Sequence, residues 1–172
     1  SPDVFIETLR SCGALVILLP EVEALFGIEQ RADFHPEIDT GIHTLMALQQ
    51  SALLTDKATI RFTVLVHDLG KALTDKDKWP HHYGHEKLGL KAIKTLCKRI
   101  RIPNHLKDLS LLVSEYHTHI HKALELKPQT ILKVLKQCDA FRRPERFDDI
   151  LTCAKADSRG RTGFENIEDS LI

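Results

Sequence analysis

Apolar residues recur along most of the chain at three- and four-residue spacing, and few runs alternate every second residue, so the pattern predicts an all-α protein. Pro2 suits the first turn of a helix in which Val4, Phe5, Thr8 and Leu9 recur at helical spacing before Gly13 closes it. An apolar helix is expected over 14–26, interrupted or restarted at Pro20. Residues 28–37 are polar and irregular, after which Asp39 or Thr40 can cap a helix that carries His43 and reaches about Leu54. Residues 59–69 are nearly all apolar and rich in β-branched side chains, which periodicity alone would accept as a buried strand. Gly70 after Leu69 favours a helix with a C-cap glycine. A polar loop follows over 74–82, then helices at about 84–101, 103–121, 128–141 and 144–159, with no internal repeat.

Composition narrows the class. The 172 residues fit one domain, and 42% hydrophobic with 28% charged residues provide for a sizeable core. The 24 basic and 24 acidic residues cancel, which argues against a wholly basic nucleic-acid binder. Four cysteines without a CxxC pair read as reduced core thiols. No apolar run is long enough to span a bilayer and the N-terminus lacks signal-peptide character, so a cytoplasmic protein is expected. The start at Ser1-Pro2 is the expectation of a domain cut from something larger.

Histidine is the unusual count. All ten are internal, and imidazole is both the common metal ligand and the proton carrier near neutral pH. His67-Asp68 ends the apolar 59–69 segment, where an unsatisfied polar group costs about 1–3 kcal/mol. A divalent cation would satisfy both side chains; a backbone-bonded His and a capping Asp would do so without one. His43, beside Ile42, Leu45 and Met46 on the preceding helix, can approach His67 in an antiparallel hairpin. Nitrogen and oxygen ligands of this kind suit nickel, manganese, iron, magnesium or zinc rather than a thiolate-selective ion. His82 and His85 stand three apart at an expected helix start, where free N–H groups favour an anion. His121 shares the face of His117, whereas His119 is read as solvated and His35, His81 and His105 as surface or capping residues. Lys71, one turn beyond the His-Asp pair, is placed to neutralise a phosphate oxygen or simply to suit a helix C-terminus.

The strings HPEIDTGIHTLMAL, VHDLGK, WPHHYGHEKLG, DAFRRPERF and ADSRGRTGFE together resemble the HD-domain metal-dependent phosphohydrolases, and among them the C-terminal HD domain of bacterial multifunctional tRNA nucleotidyltransferases, the CCA-adding enzymes. The resemblance implies one helical HD domain over 1–172, a divalent metal (Ni²⁺, Mg²⁺ or Mn²⁺) and hydrolysis of phosphoesters at a tRNA 3′ end or on nucleotides. The activities it implies are 2′,3′-cyclic phosphodiesterase, 2′-nucleotidase and phosphatase. It further implies a nucleotidyltransferase head, absent from these residues, and leaves a homodimer as a candidate assembly. His43, His67 and Asp68 match the first three metal-ligand positions; for the fourth, Asp139 is favoured over Asp157. His85 and His117 match positions that bind a second metal or contact the scissile phosphate, so the catalytic set is His67, Asp68, His85, His117 and Lys71. Thr118 departs from the family's second HD pair.

A different reading makes the domain an RNA-positioning module with a vestigial metal site. Lys87, Lys91, Lys94, Lys98 and Arg101 form one basic stripe at helical spacing, with Leu88, Ile93, Leu96 and Ile100 facing the core. Arg142, Arg143 and Arg146, together with Arg159 and Arg161, make a second basic group.

Overall fold

The computed structural model describes residues 1–165, so the last seven residues of the expected single unit lie outside the described part. Its α-helices are α1 (Pro2–Ser11), α2 (Leu15–Leu18), α3 (Pro20–Glu23), α4 (Thr40–Leu54), α5 (Ala58–Val66), α6 (His85–Arg99), α7 (Asn104–His121), α8 (Pro128–Gln137) and α9 (Pro144–Arg159). Short 3₁₀ turns connect some of them, and the only strand-like pairing among the described residues is an isolated bridge between Glu29 and Asp39. None of the described helices is long and apolar enough to cross a membrane.

The apolar 59–69 segment forms a helix, and the reason it lacks a polar face is visible in its packing. Ile60 and Val64 of α5 enter one cluster with Val113, Ile150 and Cys153, while Leu65, Val66 and Leu69 enter a second with Leu15, Leu48, Ile93 and Leu96. A helix covered on both sides has no stripe to show. It stops earlier than expected, at Val66, and Gly70 is not its cap: with φ −67° Gly70 has ordinary helical backbone. What requires glycine there is contact. A Cβ on Gly70 would lie 1.9 Å from the carbonyl oxygen of His85 and 2.6 Å from the nitrogen of Gly89, so the α5 end and the α6 start touch backbone to backbone.

Other boundaries follow local chemistry. Asp39 caps α4 by accepting from the Ile42 N–H at 2.9 Å, and its second oxygen accepts from Gly27 N–H at 2.6 Å. The expected helix over 14–26 is two single turns, because Leu19 before Pro20 is forced out of the helical region (φ −135°, ψ 60°). The helix expected to reach 141 ends at Gln137, and Asp139 beyond it adopts a positive φ of 56°. On α6, Ile93 and Leu96 are buried, but Leu88 and Ile100 are exposed rather than core-facing.

Candidate metal centre

One end of the bundle buries six polar side chains from five places in the chain: His43 on α4, His67 and Asp68 after α5, His85 opening α6, His117 on α7 and Asp157 on α9. Three of the imidazoles are oriented the same way. Nδ1 of His67 donates to the Val64 carbonyl at 2.7 Å, that of His85 to the His82 carbonyl at 3.0 Å, and that of His117 to the Val113 carbonyl at 3.0 Å. A carbonyl can only accept, so each Nδ1 carries the hydrogen and each Nε2 is left to bind whatever cation the cluster takes.

The Nε2 atoms converge on two carboxylates. Asp157 Oδ1 lies 2.8 Å from His43 Nε2 and 3.7 Å from His67 Nε2, and its Oδ2 lies 2.7 Å from His121 Nε2. Asp68 Oδ2 lies 3.3 Å from His67 Nε2, and its Oδ1 is 3.5 Å from both His85 Nε2 and His117 Nε2. The triads His43, His67, Asp157 and His67, Asp68, His117 each bring three ligand atoms within 4.8 Å of one another. The residues fit a divalent ion on an independent ground: His67 Nε2 and Asp68 Oδ1 are buried without an aligned hydrogen-bond partner. Each such atom costs about 1–3 kcal/mol unless something satisfies it.

Electrostatics point the same way. Burial would raise the Asp68 carboxyl, but Lys71 and His67 hold it well below the usual carboxylate range. Burial likewise opposes ionisation of Asp157, and His67 and His121 overcome it. Burial would lower the His67 imidazole, yet Asp68 and Asp157 raise it well above its ordinary value. The field at the centre therefore favours positive charge, and His67 Nε2 is where a proton or a metal ion would take it. At His85 burial dominates over the attraction of Asp68, and the imidazole is pushed down toward the neutral form.

The geometry corrects several expectations. Asp157, not Asp139, stands with His43 and His67; Asp139 lies in the turn after α8, its carboxylate 3.5 Å from Arg143 and 3.8 Å from Arg146. Lys71 is buried, with Nζ 2.7 Å from Asp68 Oδ2 and 2.8 Å from Gln30 Oε1, so its charge serves Asp68. His82 precedes α6 and ties loops together through Thr74 Oγ1 at 2.7 Å and the Glu29 carbonyl at 2.6 Å. His35 is half-buried rather than fully on the surface, packing edge-on against His43 with ring centroids 4.6 Å apart. His119 is half-buried beside Tyr116 rather than solvated. His81 and His105 are exposed. Glu37 and Gln30, which reach this region from the 28–37 segment, carried no periodic signal in the sequence.

A cleft of about 220 Å³ opens over the cluster, with Asp68, Lys71, His85, His117, His121 and Asp157 on its walls and Arg31, Phe34 and Arg161 among its further lining. Lys87, Lys91, Lys94 and Lys98 are exposed on α6 with no partner among the described residues, while Arg101 falls outside the helix at φ 55°. Arg161 bonds the Ser158 carbonyl at 3.1 Å and covers the Phe164 ring, and Arg159 is half-buried.

The profile of the HD domain family matches residues 40–143. Over 165 residues, 96% of the chain, the sequence is 56% identical to the multifunctional CCA protein of Shewanella frigidimarina, of which it covers 40%. The corresponding protein of Psychromonas ingrahamii is also 56% identical over 96% of the chain and 40% of its own length, and that of Vibrio campbellii 55% over 96% and 41%. The chain thus spans about two fifths of the length of the curated relatives it matches.

Proposed function

The chain belongs to the HD-domain family, and from that premise we propose that it hydrolyses phosphoesters with a divalent metal, acting on 2′,3′-cyclic phosphodiesters, 2′-nucleotides and related phosphomonoesters. One observation carries the proposal: imidazole Nε2 atoms from separate helices converge on two buried, ionised carboxylates beneath an open cleft, with His67 Nε2 and Asp68 Oδ1 lacking partners. His43, His67, Asp68 and Asp157 would hold the ion; Asp139 drops out because its carboxylate is engaged by arginines elsewhere. An all N,O donor set suits nickel, manganese or magnesium.

When bound, the ion supplies Lewis acidity at the phosphoryl group and acidifies the attacking water. The rest falls to the chain. Hydrolysis joins the oxygen of water to phosphorus, breaks the P–O ester bond and requires a proton on the leaving oxygen. His85 and His117, whose Nε2 atoms are 3.5 Å apart on the cleft wall, are placed to share that proton and hand it over. Lys71 and Gln30 keep Asp68 ionised and oriented. Arg161 on the cleft wall offers charge for the remainder of an anionic substrate, whereas Arg31 is already paired with Asp33.

The assay is turnover of 2′,3′-cAMP and 2′-AMP by purified chain with and without Ni²⁺, Mn²⁺ or Mg²⁺, beside a His67→Ala, Asp68→Ala double variant. Metal-dependent turnover lost in the variant is expected; no turnover by the unmutated chain overturns the reading.

The similarity to multifunctional CCA proteins supports placing this activity beside a nucleotidyltransferase head in a longer chain working on tRNA in the cytoplasm. The unpaired lysines of α6 favour an RNA contact as well, since His85 opens the same helix and the stripe from Lys87 to Lys98 runs about 16 Å away from the cleft. Binding of a tRNA acceptor-stem fragment should weaken with salt, and weaken again in Lys91→Glu, Lys94→Glu. Equal binding by that variant removes the stripe from the account.

A further inference from the structure

His43 differs from its neighbours in how it is oriented. His67, His85 and His117 each tie Nδ1 to a backbone carbonyl three or four residues earlier. At His43, by contrast, Nδ1 has no aligned hydrogen bond among the described residues. What stands against it is a carboxylate: Glu37 Oε1, on a side chain only 3% exposed, lies 2.9 Å from His43 Nδ1.

We propose that Glu37 is a positioning residue that directs Nε2 of His43 into the metal centre by accepting the hydrogen on Nδ1. The assignment rests on the metal-centre reading above. A carboxylate behind a ligating imidazole fixes its tautomer, orients its ring and raises its basicity. At 2.9 Å the His43 Nδ1 and Glu37 Oε1 atoms stand within hydrogen-bonding distance.

The surroundings are built for this. Glu37 Oε1 also accepts from His35 Nδ1 at 3.0 Å, and Oε2 accepts from the Thr162 backbone N–H at 3.3 Å, so both oxygens are used. The chain is bent to deliver the side chain: Ile38, a β-branched residue, takes the left-handed conformation at φ 61°. Its carbonyl accepts from Gln30 N–H at 2.7 Å and its N–H donates to the His35 carbonyl at 2.8 Å, which holds the bend.

The test is calorimetric titration of chelator-treated full chain with Mn²⁺, comparing the unmutated protein with Glu37→Ala and Glu37→Gln, with helical circular dichroism recorded for each. Glu37→Ala should bind Mn²⁺ about 10–100-fold more weakly at unchanged stoichiometry. Glu37→Gln, nearly isosteric and fit to fold where Ala does not, should be intermediate: its amide oxygen can serve one histidine, and its amide nitrogen faces other donors. At saturating Mn²⁺ the variants should lose kcat on 2′,3′-cAMP with little change in KM. Equal affinity in all three proteins would overturn the role of Glu37 and leave the metal centre standing. Loss of one whole equivalent of Mn²⁺ would also overturn it, making Glu37 a ligand. No uptake by the unmutated chain would overturn the metal centre, and the role of Glu37 with it.

Discussion

Gly70→Ala tests whether the cluster depends on the contact between the end of α5 and the start of α6. The added methyl would sit 1.9 Å from His85 O, 2.6 Å from Gly89 N and 2.8 Å from His85 C, all backbone atoms that cannot rotate aside. Ordinary contact needs well over 3 Å, so the two segments must part by more than about 1 Å. Overpacking of this kind costs about 1–3 kcal/mol, which for a chain of this size lowers Tm by roughly 2–12 °C. The functional cost should be larger, because His85 is the residue displaced and its Nε2 stands 3.5 Å from Asp68 Oδ1. A misplacement of about 1 Å can cost on the order of 10²-fold in rate. Two of the four ligands, His43 on α4 and Asp157 on α9, belong to neither parting segment, so Mn²⁺ affinity should fall less than kcat. Differential scanning fluorimetry, titration with Mn²⁺ and hydrolysis of 2′,3′-cAMP read the three effects. An alanine variant with unchanged Tm and unchanged kcat would refute the argument from close approach.

Asp157→Asn should reduce Mn²⁺ affinity at least about tenfold, whereas Asp139→Asn, which disturbs only partly exposed arginine pairs, should leave it within about twofold and cost at most about 1 kcal/mol on thermal denaturation. Gly160→Ala would put a methyl 2.5 Å from the Ala47 Cα, so parting α4 from α9 should weaken Mn²⁺ binding, in contrast to Gly70→Ala. Native alkylation at pH 8 followed by mass spectrometry should label exposed Cys12 and spare buried Cys97, Cys138 and Cys153. Burial pushes the Cys138 thiol up from 9.0 to about 11, so the folded state holds a proton that the unfolded state releases first. Its contribution is complete below pH 9 and lost as pH rises through 11, about 2–3 kcal/mol, and Cys138→Ala should flatten that slope in denaturant titrations.

Helices were legible where one face is wet. The Asp39 cap, the Pro128 and Pro144 starts and the Ile93 to Leu96 core face all show in spacing and local chemistry. The α5 segment was ambiguous because it is buried on both sides, and Gly70 was read for the wrong property: a glycine kept for close approach looks, in sequence, like one kept for a turn. Leu88 was misplaced because it falls off the face set by His85, Gly89, Ile93 and Leu96, and Ile100 because it lies past the last residue of α6.

The site divides in the same way. His67-Asp68 was conspicuous because two polar groups end an apolar helix, but Asp139 and Asp157 both have alanine neighbours, and that likeness concealed a difference in helical phase. Ile150, Cys153 and Ala154 are buried on α9, and Asp157 follows at the next turn of that face, so the phase alone points it inward. Asp139 follows the last turn of α8, where no phase applies. Glu37 and His35 had no phase to read, since a loop's burial is decided by what folds over it. The same argument gives His121 a place that its sequence position only hinted at: His117 meets Asp68 and His121, one turn on, meets Asp157 at 2.7 Å. A single turn of α7 therefore spans both carboxylates, and any shift of that helix along its axis must alter the two together.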